Sequence, residues 1–283
     1  MPALLNYIVW DVSPFIYEGE HFAIGWYGTL IIIGLLLILF ILHQSYKRDN
    51  RPSSWSMLTF IAFVAGVFFF AHLFQGLFYE WYYSPDNPWY FLGREWNYKN
   101  YYFDHPWKFL DIAHGGFASH GLYFYVLLLS MLLSTFFKVG KWYVSDRLYV
   151  GVFFLGVFVR LGNFINAEIY GIPTDMPWGV LFPDEEFPAH PTQIYESLIF
   201  LSAGIIGECL LLSKAKESDG LITGVLLVYT SILRLLIEFI KLPNMPIEQE
   251  WVLNMGQILS IPFLLFGCYL IYKSQCSKVI KIS

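Results

Sequence analysis

Hydrophobic residues in this chain come in long unbroken runs rather than in short periodic patches. Stretches of roughly the 20 apolar residues that a helix needs to cross a bilayer fall at about 24–43, 57–79, 117–137, 148–165, 191–213, 221–241 and 255–273. None alternates like the strands of a membrane barrel, so helices are the expected spanning form. The pattern predicts an all-α polytopic membrane protein, seven transmembrane helices in a single domain over 1–283. The fourth run is the shortest, and it contains Arg160.

Composition agrees: 57% of residues are hydrophobic and 14% charged, where a soluble domain carries about 25% charged. A net charge of −5 with sparse basic residues argues against a nucleic-acid partner. The three cysteines, Cys209, Cys268 and Cys276, have neither metal-ligand nor paired spacing. Ahead of the first run stand Asp11, Glu18 and Glu20 and no basic segment, so a cleaved signal peptide is not expected.

Loop charges orient the bundle. Lys47, Arg48 and Arg51 follow the first run, Lys138, Lys141 and Arg147 the third, Lys214 and Lys216 the fifth, and Lys273, Lys278 and Lys281 the last. The alternate connections are mostly acidic, including Glu80, Glu95, Asp104, Asp175, Glu185 and Glu248. The positive-inside bias then places the N-terminus outside and the C-terminus in the cytoplasm. Residues 80–113, between the second and third runs, are dense in Trp and Tyr, which suit the headgroup level, so they are expected to form an interfacial arm.

With that topology, the polar residues within the runs gather at one depth. Tyr27 lies at the outer start of the first helix and His72 and Gln75 near the outer end of the second. His120 opens the third; Arg160, Asn163, Asn166 and Glu168 close the fourth. His190, Gln193 and Glu196 open the fifth, Arg234, Glu238 and Lys241 end the sixth, and Asn254 and Gln257 open the seventh. The inner halves hold almost none, Glu208 being the exception. Charged groups in a membrane line cavities or pair with partners, so one polar cavity open to the outer leaflet is expected. Arg234, Glu238 and Lys241 share a helix face by their spacing. Arg160 and Arg234 at one depth favour an anion site, because the guanidinium fork matches a phosphate bidentately.

Two readings attach to the glycines. Gly162 fits close helix packing; Gly115, Gly116 and Gly121, beside His120, suggest a tight turn bringing backbone donors near a ligand. No metal is expected, as the histidines lack H-E-x-x-H or similar spacing, and no G-x-S-x-G elbow is present.

These residues resemble the prolipoprotein diacylglyceryl transferase family of the bacterial cytoplasmic membrane. The likeness runs from Trp26-Tyr-Gly28 through Ser119-His-Gly121 and Arg160-Leu-Gly-Asn-Phe-Ile-Asn-Ala-Glu168 with Gly171. It continues through His190-Pro-Thr-Gln-Ile-Tyr-Glu196, Arg234-Leu-Leu-Ile-Glu-Phe239 and Met255-Gly-Gln-Ile-Leu-Ser-Ile-Pro262. The resemblance implies transfer of the diacylglyceryl group of phosphatidylglycerol to the lipobox cysteine of a preprolipoprotein signal peptide, with glycerol phosphate released. It implies no cofactor, and an active site facing the outer leaflet of the inner membrane. Carried over position by position, Tyr27, His120, Arg160, Asn163, Glu168, Gly171, Arg234 and Glu238 fall on positions used for substrate binding or catalysis. His72 and Lys241 stand where members often have arginine, and are read as substrate-binding; Leu122 replaces a second glycine.

Under that reading His120 is the expected general base for the thiol, Arg160 and Arg234 hold the departing phosphate, and Glu168 and Glu238 orient them. Tyr27 or a substrate-assisted route is the alternative to His120. Other classes remain: an anionic-solute transporter, which needs polar residues at midplane and on the inner side, and a non-catalytic lipid-binding relative, which does not need His120.

Overall fold

In the computed structural model, residues 7–84, 89–91, 94–96, 98–111, 116–183, 185–242, 248 and 251–282 are described. The apolar runs become α1 (Trp26–Arg48), α2 (Ser53–Phe78), α4 (Ser119–Phe137), α5 (Tyr143–Ile165), α6 (Thr192–Leu212), α7 (Leu221–Ile237) and α8 (Met255–Ile282). A 3-10 turn, Glu238–Ile240, prolongs α7. All seven are long and apolar enough to cross a membrane. α5 is the hub, packing against α1, α4, α6 and α7, while α2 pairs with α4 and α7 with α8.

Burial separates the faces of each helix. Ile38, Leu42, Phe63, Val126, Leu148, Val150, Phe153, Ala203, Leu226 and Leu227 form a dry core through the middle of the bundle. On α1, Ile32, Leu36 and Phe40 recur every four residues and point outward, each more than half exposed. Such a stripe is a liability in water and the natural coat in hydrocarbon. Close approach is set by small residues: a Cβ on Gly121 of α4 would collide with the backbone carbonyl of Phe70 on α2. Gly224 and Gly267 likewise bring α7 against α8, a Cβ on either falling 2.9 Å from the other's carbonyl oxygen.

The fourth run is not a short helix. α5 starts five residues ahead of the predicted apolar stretch, with Asp146 and Arg147 buried in its first turn. Asp146 accepts from the backbone N–H of Gly220 (2.9 Å) and Thr223 (2.7 Å), capping α7 from a neighbouring helix. Arg147, read from the sequence as a loop charge, donates from Nε to Asp49 Oδ2 (2.8 Å). Tyr143 Oη (2.9 Å) and Lys216 Nζ (3.1 Å) also donate to Asp49. Paired charges can sit where isolated ones cannot, which a hydropathy reading does not register.

The connections at the other end, where α1 starts, hold short strands that the sequence did not signal. β1 (Ile8–Val9) pairs in parallel with β8 (Val180–Leu181), and β2 (Phe15–Glu18) forms a hairpin with β3 (Ala23–Gly25) leading straight into α1. In the 80–113 segment, β4 (Trp81–Tyr83) pairs with β7 (Tyr98–Asn100) and β5 (Trp89–Phe91) with β6 (Arg94–Trp96). A helical turn α3 (Tyr101–Asp104) and a 3-10 turn, Pro106–Leu110, follow. Asn100 caps α3 and donates to the Gly76 carbonyl at 2.8 Å, fastening the segment to α2.

Asp49 is the shared acceptor of one whole end of the bundle. Burial pushes its carboxyl up, but Arg147, Lys216 and Tyr143 outweigh that and hold its pKa below the ordinary value. A folded-state pKa below the unfolded one stabilises the fold fully above about pH 3.9 and loses that contribution as pH falls through the lowered value. Asp49→Ala is expected to cost on the order of 3 kcal/mol, the cost of stranding the buried Arg147. Thermal unfolding in detergent micelles checks both: the variant melts lower at pH 7, and the gap to the parent narrows at acid pH.

Candidate functional site

Helix ends from six spans meet where α1 starts, and the final two turns of α5 and the last turn of α7 bring arginines to the second turn of α6. Glu196, fully buried on α6, takes Arg160 Nε at 3.0 Å on Oε2 and Arg234 Nη1 at 2.6 Å on Oε1. Arg234 Nη2 reaches Glu238 Oε1 at 2.7 Å, one turn on. Lys241 Nζ lies 3.5 Å from Glu238 and 3.6 Å from Glu196. Asn254, which caps α8 by accepting from Gln257 N (2.9 Å), donates to Glu238 Oε2 at 3.1 Å.

This buried group therefore holds three cations and two carboxylates, one positive charge in excess. Its donors are not all used. The Arg160 Nε–H is near Glu196 Oε2 in distance but does not aim at it, so the pair counts as an ion contact and not a hydrogen bond. The Arg234 Nε–H also has no hydrogen-bond partner among the described residues. Buried positive charge with unspent N–H donors is the electrostatic specification of an anion site.

Beside the cluster, the chain leaves α5 in a strained turn. Ala167 and Ile169 both adopt positive φ (55° and 60°), a conformation that a β-branched isoleucine rarely takes. The turn is held by Gln193 Nε2 donating to Glu168 O (2.7 Å) and Thr192 Oγ1 to Ile169 O (3.0 Å). It presents Glu168, exposed, to Asn163: Asn163 Nδ2 donates to Glu168 Oε1 (2.9 Å) while its Oδ1 accepts from Arg160 Nη1 (3.1 Å). Glu168 thus reaches Arg160 through Asn163, and the direct carboxylate partner of Arg160 is Glu196. The Tyr27 ring packs on Gly162, whose absent Cβ would lie 2.5 Å from Tyr27 Cδ2. Gly162 has the close-packing role.

Gly171 works through its backbone. It bridges to Lys241, its N–H goes to His190 O at 2.9 Å, and a Cβ there would strike the Ile240 carbonyl. The pairing fixes where Lys241 leaves α7. His120 is buried at the start of α4, with Nε2 3.2 Å from Ser260 Oγ on α8, within the field of Arg234, Lys241 and Arg160.

His72 goes elsewhere. It is fully buried, with Nε2 3.0 Å from Lys108 O and Nδ1 3.3 Å from Gly116 O, tying α2 to the 80–113 segment and to the approach to α4. Gly116 has φ +74° and faces Gln75, and Gly121 is the helix contact described above, so neither presents backbone donors to the cluster. Gly115 lies outside the described residues. Two surface grooves, of about 400 and 570 Å3, lie at the opposite end of α1 around Phe40, and neither touches these residues.

Glu196 and Ser260 lay within the quoted motifs, and Glu196 was placed at the common depth, but neither was given a role from the sequence. Three cations at one depth were matched there to Glu168 and Glu238; Glu168 reaches Arg160 only through Asn163, and Glu196 takes its place. A serine in an apolar run carries no signal of its partner.

Comparison with known proteins supplies the family. The family model described as prolipoprotein diacylglyceryl transferase matches residues 14–273. The phosphatidylglycerol–prolipoprotein diacylglyceryl transferase of Tolumonas auensis is 32% identical over 275 residues, covering 96% of this chain and 99% of the relative. Proteins of the same name from Chloroherpeton thalassium (30% over 280 residues) and Porphyromonas gingivalis (32% over 288 residues) each cover 95% of both chains. The chain, with its seven apolar helices and its paired arginines at one end, belongs to the prolipoprotein diacylglyceryl transferase family.

Proposed function

We propose that this protein transfers the diacylglyceryl group of phosphatidylglycerol to the lipobox cysteine thiol of a preprolipoprotein, releasing glycerol phosphate. The observation that carries the reading is the buried charge excess at Glu196, where Arg160 and Arg234 converge with Nε–H donors unspent. The phosphate of the lipid headgroup supplies the missing negative charge. As the C–O bond to that phosphate breaks, charge grows on the leaving oxygen, and fixed donors in a dry site stabilise it without reorganising. Glu196 and Glu238 keep like-charged guanidinium groups side by side, and buried Lys241 adds a third positive charge. Asn163 and Tyr27 supply polar contacts to the glycerol, and Glu168 holds Asn163. A cysteine thiol, with a pKa of about 8.5, must lose its proton to attack; His120 takes it.

The loop charges support an arrangement with the site at the outer leaflet of the bacterial inner membrane, the N-terminus outside and residues 80–113 as an arm of the same single domain. The transporter reading fits less well. The charged group at Glu196 and the one at Asp49 lie at opposite ends of the bundle, and the dry core of Ile38, Phe63, Val150, Phe153 and Leu226 lies between them. Glu208, the inner polar exception, is taken up by Arg48 at 2.6 Å.

The direct test is incubation of the purified protein with phosphatidylglycerol and a lipobox peptide, with mass spectrometry of the peptide; no diacylglyceryl adduct from a well-folded sample refutes the proposal. Arg160→Lys and Arg234→Lys should each lower kcat by about 100-fold or more, because lysine keeps the charge but loses the fork. Glu196→Gln should lower the melting temperature by the equivalent of roughly 3 kcal/mol, leaving Arg160, Arg234 and Lys241 with only Glu238, and should abolish measurable transfer. A Glu196→Gln protein that melts and turns over like the parent would show that the carboxylate does not organise the pair.

A further inference from the structure

The contact between His120 and Ser260 fixes more than a ring position. Ser260 Oγ lies 2.6 Å from Gly256 O, one turn back along α8, and 3.2 Å from His120 Nε2. A serine hydroxyl carries a single proton. At 2.6 Å from a carbonyl, which cannot donate, that proton belongs to the Gly256 bond. Toward His120, Ser260 is therefore an acceptor, and Nε2 has to carry the hydrogen.

A neutral imidazole has one N–H, so the lone pair resides on Nδ1. This atom is buried and has no hydrogen-bond partner among the described residues. The opposite tautomer would trade the 2.6 Å bond for the 3.2 Å one and leave an Nδ1–H donor buried and unmatched. The ring has little freedom to flip. Phe263 stacks on it with centroids 6.0 Å apart, and Tyr123 meets it edge-on at 6.3 Å. Phe263 is one turn beyond Ser260, so α8 supplies both the acceptor and one wall of the slot. The same stretch of α8 touches the anion cluster, since a Cβ on Gly256 would lie 2.6 Å from the Glu238 carboxylate. One helical turn, Gly256 to Ser260, thus sits between the histidine and the Arg234–Glu238 pair.

We propose that Ser260 is a positioning residue that locks His120 in the Nε2–H tautomer and makes Nδ1 the atom that takes up the cysteine proton. This rests on the reading of His120 as the base in diacylglyceryl transfer. The thiol S–H bond breaks and its proton goes to Nδ1; the resulting imidazolium keeps its Nε2–H on Ser260. The thiolate sulfur forms the bond to the glyceryl carbon as the C–O bond breaks, and the electron pair of that C–O bond goes to the departing phosphate oxygen, whose charge the arginines stabilise. The imidazolium then returns its proton to the released phosphate or to water.

Two measurements decide it. The 15N spectrum of histidine-labelled protein in micelles, with the His120 signals assigned by their loss in His120→Gln, should show a pyrrole-type Nε2 and a pyridine-type Nδ1. Ser260→Ala should blur that assignment into a tautomer mixture, and Ser260→Thr, which keeps the hydroxyl, should restore it. In the transfer assay, Nδ1-methylhistidine at position 120 should cost at least about 100-fold in kcat, the size of a general-base contribution, matching His120→Gln. Ser260→Ala should lower kcat with KM unchanged and move the acid limb of the pH profile, with recovery in Ser260→Thr. A pyrrole-type Nδ1, or near-parental transfer with the Nδ1-methyl ring, overturns the proposal. If the parent protein transfers nothing, the functional reading falls instead, and the nitrogen spectrum still decides the tautomer.

Discussion

The carboxylate of Glu196 holds this end of the protein together. Two guanidinium groups arrive on the ends of α5 and α7, and neither can be buried alone, nor beside the other, without a shared counter-charge. By accepting from Arg234 and lying in ion contact with Arg160, Glu196 sets the separation of the arginines and the relative depth of three helices. Glu238 and Lys241 extend the group, and Asn163 links it to the Glu168 turn. The group keeps one positive charge in excess, and the proposed function rests on that excess.

The rest of the fold keeps that group rigid. Gly121, Gly162 and Gly171 each allow an approach that any Cβ would block: helix to helix, ring to helix, and loop to the end of α7. At the far end, Asp49 gathers Arg147, Tyr143 and Lys216 in the same way that Glu196 gathers its cations. The apolar core lies between the two charged ends and holds them apart. His72 belongs to this scaffold: buried between carbonyls of Lys108 and Gly116, it anchors the 80–113 segment where a longer cation would have reached further.

Much was legible in the amino-acid sequence. Seven spans, their approximate limits and the common depth of the polar residues followed from hydropathy, because transfer into hydrocarbon is a sum over local residues. The motifs carrying Arg160 and Arg234 were readable for the same reason: charge inside an apolar run is costly wherever the run folds. What stayed hidden depended on pairing. The early start of α5 was invisible because Asp146 and Arg147 look forbidden until Gly220, Thr223 and Asp49 come to meet them. The short strands have too few residues to carry a period.

Sequence alone therefore determined which stretches are long and apolar enough to cross a membrane and which polar groups share one end of them, since that depends on each residue's own solvation and place in the run. Only the tertiary structure decided who faces whom: that Glu196 bridges the arginines, that Glu168 acts through Asn163, and that Ser260 meets His120 from 140 residues away. Hydrogen bonds and ion pairs are settled over a few ångströms between helices remote in sequence, and no local pattern encodes that distance.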